Sequence, residues 1–151
     1  MSEYTYPDGI DCVWLACDHN GHLAAFTTAG VGPIPIDALT SSLINVEDVE
    51  EAVCQMPKVS QAHLLVQMKR PDDFVDMAER GFFVYDWRDI HRTTGESSNR
   101  YELIATPLNP ISYDVLPASL AQLVAGIRFS DLAFVDNRVL DIYTQFECLT
   151  P

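Results

Sequence analysis

The sequence predicts an α+β fold, in which about three helices pack on one face of a largely antiparallel sheet. Three observations favour this class. Consecutive strand-like segments are mostly close enough to form hairpins, and three segments show helical spacing of their apolar residues. The chain has 151 residues, 48% of them hydrophobic, which is enough for one well-packed core. We therefore expect residues 1–151 to form a single α+β domain.

The first two strands are predicted from the segments DCVWLACD and HLAAFTT, which flank an Asn-Gly turn. A three-residue loop would pair Asp18 with His22 and give Gly21 a positive φ. A two-residue loop is the alternative, and it would place Cys17, His19 and His22 on one face, where they could bind zinc. The three-residue loop separates the apolar side chains of the two faces better. We therefore expect a turn without a metal.

The next helix is predicted to begin near Asn45, whose side chain would cap it, and to run through VEDVEEAVCQM. Its apolar stripe comprises Val46, Val49, Val53 and Met56. The preceding segment AGVGPIPIDAL contains two prolines and two glycines within a few residues, and it is interpreted as an irregular connection.

The remaining elements are predicted from periodicity and from the positions of proline and glycine. His63 lies in one of the apolar runs, so we expect it in the core. The segments are a buried strand at SQAHLLVQM, a helix at PDDFVDMAER, strands at FFVYDW and YELIATP, a helix at PASLAQLVAG, and a strand, turn and strand within IRFSDLAFVDNRVLDIYTQF.

The charge of the chain restricts its partners. The net charge is −13 and the pI is about 4.4. The first 57 residues contain nine Asp or Glu and no Lys or Arg, and the first basic residue is Lys58. Such a chain is a poor partner for nucleic acid or an anionic membrane, so we expect a positively charged protein partner. Solubility alone is the other explanation of the acidity.

Compartment and cofactors are predicted from what the sequence lacks. It has no apolar run near the roughly 20 residues that span a bilayer, and MSEYTYPDGI lacks the features of a signal peptide. We expect a cytoplasmic protein with reduced cysteines, no metal and no cofactor. The cysteines are Cys12, Cys17, Cys54 and Cys148.

Candidate partner-binding residues fall into three groups. The acidic helix contributes carboxylates on its solvent side, aromatic residues would act as anchors if they are exposed, and the segment DWRDIHRTT mixes charges at the mouth of a hairpin. The residues are Glu47, Asp48, Glu50 and Glu51 in the first group, Trp14, Phe26 and Trp87 in the second, and Arg88 and His91 in the third.

No catalytic residues are predicted, because the sequence contains no HExxH, GxSxG or phosphate-binding glycine motif. An enzyme therefore has no positive support. One alternative is a small-ligand-binding domain or an unrecognised enzyme that uses the 30–36 connection and the 88–100 loop. A second alternative is a homodimeric structural subunit.

In size, acidity and helix-plus-sheet pattern, the chain resembles the immunity proteins that bacteria keep in the cytosol against their own secreted toxins. The resemblance rests on a small acidic domain without catalytic motifs, with VEDVEEAV as its densest acidic stretch. It implies a stoichiometric inhibitor of a toxin, often a basic one. It assigns no site residues to this sequence.

Overall fold

A computed structural model of the protein describes residues 5–7, 9–40, 44–88 and 100–150. None of the helices in these ranges is long and apolar enough to cross a membrane. The strands are β1 (Val13–Cys17), β2 (Leu23–Thr27), β3 (Ile34–Pro35), β4 (Ala62–Leu64), β5 (Phe83–Arg88), β6 (Arg100–Pro107), β7 (Val139–Leu140) and β8 (Cys148–Leu149). The α-helices are α1 (Ile36–Leu39), α2 (Val49–Cys54), α3 (Asp72–Glu79) and α4 (Ala118–Ala125).

The main sheet has the strand order β1-β2-β5-β6-β4, and β7 also pairs with β6. Every pair in it is antiparallel except β2 with β5, which run parallel. The parallel pair arises because the chain between these two strands passes through α2 and α3 before it returns. β3 and β8 form a separate antiparallel pair. The predicted α+β class with a largely antiparallel sheet is confirmed.

The opening hairpin has the predicted three-residue loop. Cys17 pairs with Leu23, and the Asp18 N–H donates to the carbonyl of His22 at 3.0 Å. Gly21 has φ +79° and its N–H donates to the Asp18 carbonyl at 3.1 Å. This loop therefore fixes the register of β1 and β2, and with it the face on which each of their side chains lies.

The three longer helices pack on one face of the sheet, as predicted. Val49 and Val53 of α2 are fully buried, as are Met77 of α3 and Val124 of α4. They form one apolar cluster with the side chains that β1 and β2 direct to this face, such as Leu15. We call this side the helix face of the sheet.

The other face of the sheet is not solvated, because residues from the last quarter of the chain cover it. Its core is aromatic: Trp14 stacks on Phe26 with ring centroids 4.0 Å apart, and Phe26 stacks on Tyr85 at 4.9 Å. Phe129 and Phe134 pack against Phe26 from the C-terminal segment. We call this side the aromatic face. Strands β1 and β2 are consequently buried on both sides.

Two predictions about single residues are wrong. Asn45 makes no capping hydrogen bond, because the predicted helix opens with a 3₁₀ turn over Val46–Asp48 before α2. His63 is exposed rather than in the core, because β4 is a short strand at the edge of the sheet and its side chains are only partly covered.

Two segments are also more ordered, or ordered differently, than predicted. The connection after β2 contains β3 and α1 rather than only irregular structure. The C-terminal segment forms the short strand β7 and 3₁₀ turns at Phe134–Asp136 and Ile142–Thr144 instead of two full strands. Its apolar residues instead cover the aromatic face.

Replacing Gly32 by Ala should lower the free energy of unfolding by about 1 to 3 kcal/mol, because an added methyl group overpacks the aromatic face. A Cβ at this position would lie 2.6 Å from the Tyr101 hydroxyl and 2.9 Å from Cγ of Trp87. The Tyr101 hydroxyl cannot move freely, since it donates to the Pro33 carbonyl at 2.8 Å. Urea denaturation measures the change.

Gly126→Ala is the matched control for that experiment. The nearest atom to a Cβ at Gly126 is 3.7 Å away, and its φ of −88° suits any residue. We expect this variant to unfold within about 0.5 kcal/mol of the natural protein. Equal losses in both variants would contradict the packing argument.

Candidate protein-binding surface

The carboxylates predicted to bind a partner lie together around the first turns of α2. Glu47, Asp48 and Glu51 are exposed, and Glu50 is half-buried at the margin. They point outward because the apolar stripe of the helix, from Val46 to Val53, is buried. We call Glu47, Asp48, Glu50 and Glu51 the acidic face.

Two carboxylates distant in sequence reinforce the charge at the inner margin of the acidic face. Burial raises the pKa of Glu50, and the negative charges of Asp73 and Asp11 raise it further. Burial likewise raises the pKa of Asp11, and Asp73 adds to this, although Asp11 accepts a hydrogen bond from the Ala29 N–H at 2.9 Å. Carboxylates from α2, from α3 and from the residues just before β1 therefore repel one another here.

The two nearby cations are engaged away from the acidic face, Lys58 by carboxylates of α3 and Arg80 by the C-terminal end of α2. Lys58 pairs with Asp76 at 3.6 Å and with Glu79 at 3.3 Å. The Arg80 guanidinium donates to the carbonyls of Cys54 at 2.7 Å and Met56 at 2.9 Å, which satisfies the C-terminal end of the helix. Within the described ranges, no ion pair involves a residue of the acidic face.

Glu50→Gln should raise the melting temperature at pH 7, because it removes a carboxylate whose ionisation the fold disfavours. A carboxyl group with a raised pKa in the folded state binds its proton more tightly there than in the unfolded chain. The ionised carboxylate therefore destabilises the fold when the pH is above its pKa in the folded state. This effect disappears as the pH falls towards the ordinary carboxyl pKa near 4. The gain should consequently shrink between pH 7 and pH 4.

Thermal unfolding at both pH values measures this effect, and Glu51→Gln is the control. Glu51 is one residue away but exposed. Its neutralisation should change the melting temperature less than that of Glu50. A gain for Glu50→Gln that is as large at pH 4 as at pH 7 would show that the carboxylate charge is not its cause.

An apolar groove lies beside the acidic face, between the C-terminal end of α2 and the start of α4. It has a volume of about 350 Å³ and is lined mainly by apolar side chains. Glu51 of the acidic face directly precedes Ala52, which lines the groove. The lining residues are Ala52, Gln55, Met56, Pro57, Val115, Pro117, Ser119 and Leu120.

The aromatic residues predicted as anchors are not available to a partner. Trp14 and Phe26 are fully buried, and Trp87 is 9% exposed. They belong to the aromatic face, where the Trp14 indole N–H donates to the Tyr101 hydroxyl at 3.1 Å. The condition for their role as anchors is therefore not met, because both faces of the sheet are covered. The side chain of Arg88, and all of His91, lie outside the described residues.

The geometry of the opening hairpin separates the side chains that the alternative two-residue loop would bring together as zinc ligands. Cys17 points into the helix-face core, whereas the ring of His22 lies 6.2 Å from that of Phe83 on the aromatic face. Cys12 and Cys17 also belong to opposite faces and cannot pair with each other. All four cysteines are unpaired. The residues that the structure describes include no group of three His, Cys, Asp or Glu arranged to hold a metal ion.

Asp18 has a structural role that the sequence did not indicate. Its side chain is fully buried. Oδ1 accepts from the N–H groups of Asn20 at 2.9 Å and His22 at 3.0 Å, and Oδ2 accepts from the N–H of Phe134 at 2.9 Å. The carboxylate therefore joins the first turn of the chain to the C-terminal segment that covers the aromatic face.

The 30–36 connection, which the ligand-binding alternative uses, packs closely on the aromatic face. Gly32 lies against Trp87 and Tyr101, and its carbonyl accepts from the Tyr6 hydroxyl at 2.5 Å. Ile34 is fully buried and pairs with Leu149 of β8. Side chains thus fill the space under this connection, and most of the 88–100 loop lies outside the described residues.

Fold and surface together define an acidic α+β domain with an apolar groove beside carboxylates that form no ion pair with any described residue. No protein-family model, curated protein or solved structure matches the chain.

Proposed function

We propose that this protein is a non-catalytic acidic binding protein that neutralises a basic protein partner, as an immunity-type inhibitor neutralises a toxin. The observation that supports it best is the acidic face, whose carboxylates have no ion-pair partner among the described residues. One of them, Glu50, is repelled by Asp73 and Asp11. A cationic surface would relieve this repulsion. The proposal also places the protein in the bacterial cytoplasm.

The acidic face would act mainly on the approach of the partner. Exposed carboxylates such as Glu47 and Glu51 attract a cationic surface over roughly a Debye length, which is about 8 Å at physiological salt. Rim charges of this kind raise the association rate and select the sign of the partner more than they add affinity. The partner would also favour the ionised form of Glu50, whose pKa is raised in the free protein.

Affinity would come from the apolar groove beside Glu51. Buried apolar anchors contribute most of the binding energy in protein interfaces. The aromatic residues predicted from the sequence as anchors lie in the core and cannot supply them. The groove of about 350 Å³ has room for one large apolar side chain of the partner. The chemistry that fits is therefore a protruding apolar side chain with Lys or Arg nearby.

A comparison of two charge-reversed variants in a pull-down tests the proposal. The bait proteins are the natural protein, Glu47→Lys/Glu51→Lys, and the control Asp131→Lys/Asp136→Lys, which makes the same charge change at exposed positions next to Phe134 of the aromatic-face core. We expect a basic protein from the native host to be retained by the natural protein and the control. The acidic-face variant should retain less of it than the other two at low salt, and the difference should shrink at moderate salt.

The opposite outcome of the pull-down would contradict the proposal. If both variants retain the same proteins, the acidic face selects no partner and its carboxylates serve solubility. Identification of the retained protein by mass spectrometry also separates a toxin from other basic proteins.

A further inference from the structure

The edge of the main sheet at β4 presents backbone groups that no described strand pairs with. β4 pairs with β6 on one side only. The Leu65 N–H donates to the Ile104 carbonyl at 2.8 Å, and the Gln61 carbonyl accepts from the Leu108 N–H at 2.8 Å. Residues alternate along an antiparallel strand, so Ala62 and Leu64 direct their N–H and C=O groups away from β6.

Of the devices that keep sheet edges apart, this edge has only a short strand. The others are Lys, Pro and inward-pointing charges. The segment from Val59 to Met68 contains no Asp, Glu, Lys, Arg or Pro, although the chain carries a net charge of −13. An open concavity of about 680 Å³ lies beside the edge and is lined by the chain from Leu64 to Lys69.

We propose that β4 is a self-association edge, at which a second copy of this chain adds its own β4 in antiparallel orientation. The absence of charge favours a second copy over the basic partner proposed above, because this edge offers a cationic strand no carboxylate. The segment from Val59 to Met68 carries no carboxylate, so pairing two copies along it places no carboxylates of this segment opposite one another. A two-fold axis makes the edge complementary to itself.

The outward groups of β4 determine the register of this pairing. Ala62 of one copy exchanges hydrogen bonds with Leu64 of the other, and the two-fold axis repeats the exchange, because these are the residues that point outward. His63 then faces His63 of the second copy in a non-hydrogen-bonded pair, in which Cα atoms are about 4.5 Å apart. The His63 side chain is exposed, so it can be substituted without disturbing the core.

Charge exchange at His63 tests both the interface and its register. Sedimentation equilibrium of the natural protein should show a dimer whose population rises with concentration. His63→Glu and His63→Lys each place like charges opposite one another, so each should weaken the dimer about fivefold at low ionic strength. Their equimolar mixture should restore association, because Glu then faces Lys. His63→Gln is the uncharged control and should dimerise like the natural protein.

Amide hydrogen exchange provides a second readout that needs no variant. The N–H groups of Ala62 and Leu64 should exchange more slowly as the protein concentration rises. The Leu65 N–H, which is bonded to Ile104, is the internal reference and should not depend on concentration.

Three outcomes would overturn the inference: a natural protein that stays monomeric at every concentration, a dimer that the two charged variants leave unchanged, or a mixture of them that fails to associate. A monomer that gains protection at Ala62 only when another protein is added would assign the edge to a foreign strand instead. None of these outcomes bears on the acidic face, which lies on α2.

Discussion

Replacing Asp18 by Ala should lower the free energy of unfolding by about 3 to 5 kcal/mol, the largest single loss we expect in this protein. The carboxylate is fully buried and accepts three backbone N–H groups. Each buried donor left without an acceptor costs about 1 to 3 kcal/mol. Most of this loss should come from the unsatisfied Phe134 N–H, because it is buried and lies in the segment that covers the aromatic face.

Two further variants distinguish this explanation from a general loss of hydrogen bonds. Asp141→Ala also removes an acceptor of one backbone N–H, that of Tyr143 at 3.1 Å, but Asp141 is exposed and water replaces it, so about 1 kcal/mol or less is expected. Asp18→Asn keeps one acceptor oxygen and should fall between the two. Urea denaturation with equal losses for Asp18→Ala and Asp141→Ala would show that burial of the carboxylate is not decisive.

The elements that could be predicted from the sequence are those determined by neighbouring residues. The opening hairpin followed from the position of Gly21 and from how Val13 to Thr27 divide between the two faces of the sheet. Helix α3 lies between Pro71 and Gly81 as expected, and Gly81 has φ +98°. Turn chemistry and periodicity act within a few residues, so a single sequence is enough to reveal them.

The contacts that could not be predicted join distant parts of the chain. Hydrophobic alternation does not indicate that a C-terminal segment covers the aromatic face, and this cover is what buries Trp14 and Phe26. An apolar run around His63 is typical of a buried strand, whereas its place at the sheet edge depends on the strand order. The hydrogen bond from the Phe134 N–H to Asp18 spans 116 residues, and no local sequence pattern indicates it.

Of the candidate surface, only the part that depends on neighbouring residues could be predicted. The acidic face depends on the spacing of Val46, Val49 and Val53 within one short segment, and the sequence contains that spacing. The approach of Asp11 and Asp73 to Glu50 depends on how β1 and α3 pack around α2. The apolar groove is formed by the end of α2 and the start of α4, which are more than 50 residues apart, and no local pattern marks it.

The largest functional effect is expected from Glu47→Lys/Glu51→Lys, and it concerns the association rate with the partner once that partner is identified. The association rate should fall about tenfold at low salt, because the double variant replaces two attractive charges with two repulsive ones on an exposed helix. The dissociation rate should change less, since rim charges act mainly on encounter. The difference between variant and natural protein should shrink as salt rises. Stopped-flow or surface-based kinetics at several ionic strengths measure these rates.

The control Asp131→Lys/Asp136→Lys separates the acidic face from net charge. It changes the total charge by the same amount at exposed positions in the segment that covers the aromatic face, so it should slow association much less. Equal slowing in both variants would mean that the partner responds to overall charge and not to this helix. An unchanged rate in Glu47→Lys/Glu51→Lys, with circular dichroism showing an intact fold, would mean that the carboxylates only keep the protein soluble.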